Sequence, residues 1–157
     1  MSLSRNGRIM AFDDFLSATN ISASGLSAER TRMEVVANNI ANAYSTRSVN
    51  GGPYRRKEVV FSTVLDERMR PGQSSGGSRG GLGGVRVDGV VDDNSEFIKQ
   101  YNPGHPDADK EGFVLMPNIR LPVEMVNLIT ASRAYEANLK VLQSFRQTAE
   151  QALALAR

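Results

Sequence analysis

His105, Asp107 and Asp109 are the residues of this 157-residue chain that come nearest to a reactive grouping, an imidazole beside two carboxylates. One His and two carboxylates are the ligand set of a facial metal site. All three lie within one short Pro- and Gly-containing stretch, Asn102 to Asp109, and the chain has no second His. Short polar stretches of this kind form turns in which Asp bonds the local backbone. A turn is the expectation, with no catalytic residue, metal or cofactor. Arg55-Arg56-Lys57 and Arg79-Gly80-Gly81 are the next candidates, as contacts to nucleic acid. RGG steps act in numbers, with aromatics that stack on bases, and this one stands alone. The formal charge is +2, and a dedicated nucleic-acid binder concentrates more charge than that on one face. Neither a nucleic acid nor a small-molecule substrate is expected.

Tyr54-Arg55-Arg56 sets a planar cation beside an aromatic, a common pairing at subunit contacts. The same residues equally suit a surface strand edge. The chain has no Cys, which excludes disulfides and thiolate metal sites and is compatible with either redox compartment. No stretch approaches the ~20 apolar residues of a membrane span. The apolar run from Ile9 to Phe12 stops at Asp13, short of the roughly 7–15 residues of a cleaved secretory signal.

The elements that position these residues fall into three parts. From about Ala11 to Asn42, apolar or small residues recur in steps of three and four, which predicts a helix. Its Ser, Thr and Asn content and Gly25, which costs up to ~1 kcal/mol relative to Ala, make it marginal on its own. A second, stronger helix is predicted from about Leu121 to Leu155, with Pro122 in its first turn where a missing N–H costs nothing. Between them, Val59-Val60-Phe61, Val85-Arg86-Val87, Val90-Val91 and Phe113-Val114-Leu115 read as short strands separated by Gly, Pro and Asp. The fold class is α+β, with long terminal helices of coiled-coil type around a small β-rich middle. Residues 1–10 are an N-terminal extension. Residues 11–46 with 118–157 form a helical assembly domain, and residues 47–117 form the middle region, with a flexible Gly-rich loop at 72–84.

The faces of the helices point to assembly. Leu26, Met33 and Ile40 share one narrow arc of the first helix, while Asn38 and Asn42 lie on the other side. An amide face can fix register in a helix interface, and it can equally be solvated and end the helix. On the second helix the apolar arc, from Met125, Leu128 and Tyr135 through Ala131 to Phe145, Ala134 and Val141, covers more than half the circumference, and Leu139 and Leu142 join the expected interface residues. One partner helix needs a stripe of ~100°, so two or more contacting helices are expected.

The run Ala37-Asn38-Asn39-Ile40-Ala41-Asn42 resembles the signature of the flagellar rod and hook proteins. Gly51-Gly52-Pro53-Tyr54-Arg55-Arg56 and His105-Pro106-Asp107-Ala108-Asp109 narrow the resemblance to proximal rod subunits. Gly112-Phe113-Val114, Met116-Pro117-Asn118, Val123-Glu124-Met125 and Ser132 to Asn138 extend it along the chain. Another axial rod or hook subunit is the neighbouring reading, although hook proteins carry larger inserted domains than this short middle. The resemblance implies a non-enzymatic subunit of a hollow drive shaft. Its partners would be copies of itself, other rod proteins and the flagellar export apparatus, through which it would pass uncleaved to the periplasm. Terminal segments of such subunits order on assembly. Asn39, beside Asn38 and Asn42, joins the expected interface residues. Met10-Ala11-Phe12 itself resembles the family's start, so a start at Met10, or a frayed extension before it, is expected. The glycine-rich loop is longer than the family pattern and is expected to be a disordered tip.

Overall fold

The computed structural model describes residues 5–48, 51–65 and 82–155. Along the chain come α1 (Arg5–Ala41), β1 (Lys57–Leu65), β2 (Leu82–Asp92), β3 (Ile98–Tyr101), β4 (Phe113–Met116) and α2 (Leu121–Leu155). This is the α+β order expected, and α2 has the limits read from the sequence. Most of the glycine-rich stretch at 72–84 lies outside the described residues.

The strands form two separate pairs, β1 with β2 and β3 with β4. Val85-Arg86-Val87 and Val90-Val91 belong to one strand, because Gly89 continues it without a bend. β3 was not anticipated: Ile98-Lys99-Gln100-Tyr101 has no alternation, and all four residues are exposed. It owes its form to antiparallel pairing with β4, Ile98 opposite Met116 and Tyr101 opposite Phe113. Strand alternation turns Val114 inward, 2% exposed, and leaves Phe113 and Leu115 outside. The rings of Tyr101 and Phe113 meet edge to face with centroids 5.4 Å apart.

The chain divides into two compact units. Unit 1 comprises Met1–Glu29, Phe61–Val87 and Arg133–Arg157; unit 2 comprises Arg30–Val60 and Asp88–Ser132. Within unit 1 the two helices approach closely at Gly25. A Cβ there would lie 2.9 Å from Asn138 Nδ2, so the residue that weakens α1 locally also admits α2. The start of β2 is tied to the same helix. Ser24 Oγ donates to the Ile21 carbonyl at 2.7 Å and accepts the Val85 N–H at 3.1 Å. Gly84, with φ +112°, presses against this tie, and a Cβ on it would lie 2.3 Å from Ser24 Oγ. Gly84→Ala therefore meets both an unfavourable backbone and a clash, and should cost about 2 kcal/mol or more in denaturant unfolding. Gly25→Ala is the contrast. It meets only the end of a flexible side chain and gains helix propensity, so it should stay within about 1 kcal/mol of the wild type.

Unit 2 has a small core. Val35, Val36, Ala43, Val114, Ile119 and Ala131 are buried, with few large apolar side chains among them. The largest fully buried side chains are Glu124, Val114, Asn39 and Pro117, so two of the four are polar. Apolar burial is non-directional, and here polar contacts must supply much of the direction.

Candidate assembly site

On α1, Leu26, Met33 and Ile40 are half-buried, and Asn38 is exposed. Asn38 Nδ2 donates to the Glu34 carbonyl at 3.0 Å and Asn42 Nδ2 to the Asn38 carbonyl at 2.9 Å. Asn42 Oδ1 also accepts from Ser45 Oγ at 3.2 Å. Both amides bond back one turn along α1, and the Asn38 carbonyl also accepts the Asn42 N–H at 3.1 Å. On α2, Leu128, Tyr135, Leu142 and Phe145 are half-buried and Leu139 is 39% exposed. Met125, Val126 and Ile129, between 53% and 62% exposed, share a face of α2 turned away from buried Glu124 and Ala131.

Asn39 sits inside unit 2 with no exposed surface. Its Oδ1 accepts from the Lys57 N–H at 2.9 Å and from Tyr54 Oη–H at 3.2 Å. Its Nδ2 donates to the Lys57 carbonyl at 2.8 Å and to Glu124 Oε2 at 3.1 Å. All four hydrogen-bonding positions of the amide are used, and Lys57 is held at both its N–H and its C=O, as a neighbouring strand would hold it. Asn118 acts similarly one residue earlier. Its Oδ1 accepts the Arg56 N–H at 2.8 Å, and its Nδ2 donates to the Asp93 carbonyl and Ser95 Oγ at 3.0 and 2.8 Å.

Arg56 joins the two arrangements. Its Nε donates to Glu124 Oε1 at 2.9 Å, and its Nη1 lies 3.3 Å from Asp93 Oδ2. Burial works against the Arg56 charge, but the hydrogen bond and charge of Glu124, then Glu58 and Asp93, outweigh it and raise its pKa. Burial likewise raises the Tyr54 phenol, opposed by Lys57 and assisted by Asp92 and Glu124. Arg55 turns to the other side, its guanidinium carbon 4.5 Å from the Phe97 ring centroid. The aromatic read beside this cation was Tyr54, but the ring Arg55 lies over is Phe97, and Tyr54 bonds Asn39 instead.

Asp93 has a pKa below the ordinary carboxylate value, held there by the Ser95 N–H at 2.9 Å, the Ser95 hydroxyl and Arg56. A depressed folded-state pKa stabilises above the unfolded value, ~3.9, and that stability is lost as pH falls through the folded value. Unfolding free energy should therefore drop below about pH 4, and Asp93→Asn should flatten that limb of the pH–stability curve.

The residues first weighed for chemistry are occupied locally. Asp109 Oδ1 accepts the N–H groups of Glu111 and Phe113 at 2.9 and 2.8 Å. His105 Nδ1 accepts the Asp107 N–H at 3.1 Å. Asp107 is bonded by Thr46 Oγ1 at 2.9 Å and by Arg47, and these two lower its pKa. Among the described residues no group of three or more His, Asp or Glu is placed to hold a metal ion.

Sequence reasoning missed Glu124, Asn118 and Asp93. The signal for Glu124 was present: it lies four and seven residues before Leu128 and Ala131, on the apolar side of α2. A carboxylate there needs a partner, and the cations at 55–57 are the one dense basic cluster in the sequence.

Along α2 several large apolar side chains are exposed, and the core of unit 2 is centred on polar contacts. Residues 20–46 match the family model described as flagella basal body rod protein. Residues 110–155 match the one described as flagellar basal body rod FlgEFG protein C-terminal. Among similar proteins, the flagellar basal-body rod protein FlgC of Borreliella burgdorferi is 41% identical, over 88% of this chain and 95% of its own. The FlgC proteins of Bacillus subtilis and Salmonella typhimurium are 42% and 40% identical, over 80% and 83% of this chain and 87% and 90% of their own. The chain belongs to the FlgC family of flagellar basal-body rod proteins. It is a structural subunit of the basal-body rod, not an enzyme, and assembles with other rod components. Among the described residues no helix is long and apolar enough to cross a membrane.

Proposed function

We propose that the chain is a proximal-rod subunit whose terminal helices stack against copies of itself and other rod proteins, building a hollow shaft that transmits torque. It reaches the periplasm through the flagellar export channel without cleavage. The observation that carries this reading is the apolar surface α2 leaves exposed, including Val126 at 62% and Ile129 at 53%. Contiguous apolar surface on a helix marks a contact. Leu26, Met33, Asn38, Ile40 and Asn42 on α1, with Leu128, Tyr135, Leu139, Leu142 and Phe145 on α2, line the assembly seams. Asn39, Tyr54, Arg55 and Arg56 serve them from within, by fixing the shape of unit 2. Basal bodies imaged from a deletion strain test the reading: the rod should be absent and return on complementation. A complete rod in the deletion strain would end the proposal.

A further inference from the structure

The exposed apolar face of α2 carries one side chain whose polarity a chemical step can change. Met125 is 53% exposed, one turn before Ile129 and beside Val126, which are 53% and 62% exposed. The hydrocarbon side chains of Val126 and Ile129 resist mild oxidants, whereas a thioether does not. We propose that Met125 is a modification site for peroxides: in the free subunit its sulfur is oxidised to the sulfoxide, and the modified face no longer enters the rod. The proposal rests on reading this face of α2 as a subunit contact, and adds a state in which that contact fails.

With hydrogen peroxide the step balances without a further reactant. A lone pair of the Met125 sulfur attacks one peroxide oxygen, the O–O bond breaks and an S–O bond forms. The proton on the transferred oxygen passes to the departing one, which leaves as water. The thioether loses two electrons and the peroxide gains them. No thiol takes part, and the chain has no Cys to divert the oxidant.

Access to the sulfur sets which methionine reacts. Among the described side chains, Met33 on α1 and Met116 on β4 are half-buried, and Met125 is exposed. The position also decides the consequence. On a hydrated helix surface, water solvates the new oxygen, so the free chain keeps its fold. Inside an apolar contact the same oxygen is buried without a donor, which is costly. Oxidation therefore blocks entry into the rod, and entry in turn shields the sulfur. The lesion is also reversible, because methionine sulfoxide reductases restore the thioether.

Hydrogen peroxide and mass spectrometry test both halves. In the purified full-length chain Met125 should oxidise about tenfold faster than Met33 and Met116, with the circular dichroism unchanged. In isolated basal bodies it should oxidise about tenfold more slowly than in the free chain. Met125→Gln, which fixes a polar group of similar length at the position, should abolish swimming while melting as the wild type does. Met125→Leu should swim normally. A free chain in which Met125 reacts no faster than the half-buried methionines would overturn the site whatever the rod contains. Equal rates in the free chain and in basal bodies would overturn the shielding. Swimming Met125→Gln cells, a lowered melting temperature in that variant or non-motile Met125→Leu cells would overturn the block. None of these results bears on whether the rod is missing from the deletion strain, so the reading of the chain as a rod subunit stands or falls separately.

Discussion

Asn39→Asp is expected to unfold unit 2 at neutral pH, at a cost of about 4 kcal/mol, although it changes the side chain's shape hardly at all. The substitution exchanges the Nδ2 group for an oxygen. That nitrogen donates to the Lys57 carbonyl at 2.8 Å and to Glu124 Oε2 at 3.1 Å. Two attractions become two repulsions in a place with no exposed surface, one of them between carboxylates. Close carboxylates raise each other's pKa. A raised folded-state pKa means that the folded chain binds the extra proton more tightly, so the penalty is largest at neutral pH and recedes on acidification. Denaturant titrations at neutral and mildly acidic pH check the sign. An equal loss of stability at both would mean that the defect is packing and not charge.

Leu139→Asp should abolish rod incorporation, and with it motility, while leaving the isolated chain folded. Leu139 is 39% exposed on the surface of α2, so in the free subunit the carboxylate remains hydrated and costs about 0.5 kcal/mol in helix propensity. In a helix seam the same carboxylate would be buried without a partner, at several kcal/mol. The difference between the two environments is the signal. Leu142 is half-buried in the chain itself, so Leu142→Asp would confound folding with assembly and is the weaker probe. Circular dichroism of the purified variant should match the wild type, and swimming assays should show no spread. Motile cells with rods built from the variant would remove Leu139 from the seam.

Periodicity made the helices legible, and α2 runs from Leu121 to Leu155 as its apolar rhythm indicates. The β-rich middle was legible where β-branched residues cluster, as in β1 and β2. β3 was not, because Lys99 and Gln100 break the apolar run between Ile98 and Tyr101, and its pairing partner β4 lies beyond a turn. The asparagines show the same limit more sharply. Asn38, Asn39 and Asn42 look alike in the sequence, and reading them as one interface set treats them alike. Asn39 lies about 100° around α1 from Asn38 and about 60° from Asn42: Asn38 and Asn42 serve the end of α1, and Asn39 holds the backbone of a segment eighteen residues on. Non-local hydrogen bonds leave no periodic trace, so a polar core is harder to foresee than an apolar one. The unpaired-looking Glu124 on an apolar helix face was the one available clue.

The close approach at Gly25 has a use beyond packing. Asn138 Cγ lies 3.3 Å from where a Cβ at position 25 would be, so side chains at the two positions meet, as those of two cysteines must to bridge. Because the chain carries no Cys of its own, Gly25→Cys/Asn138→Cys would introduce a single possible crosslink. Oxidised within the rod, it would trace which chain each helix belongs to. A faster-migrating monomer would mean that every subunit closes on itself, and a ladder of covalent oligomers would mean that neighbours exchange their terminal helices.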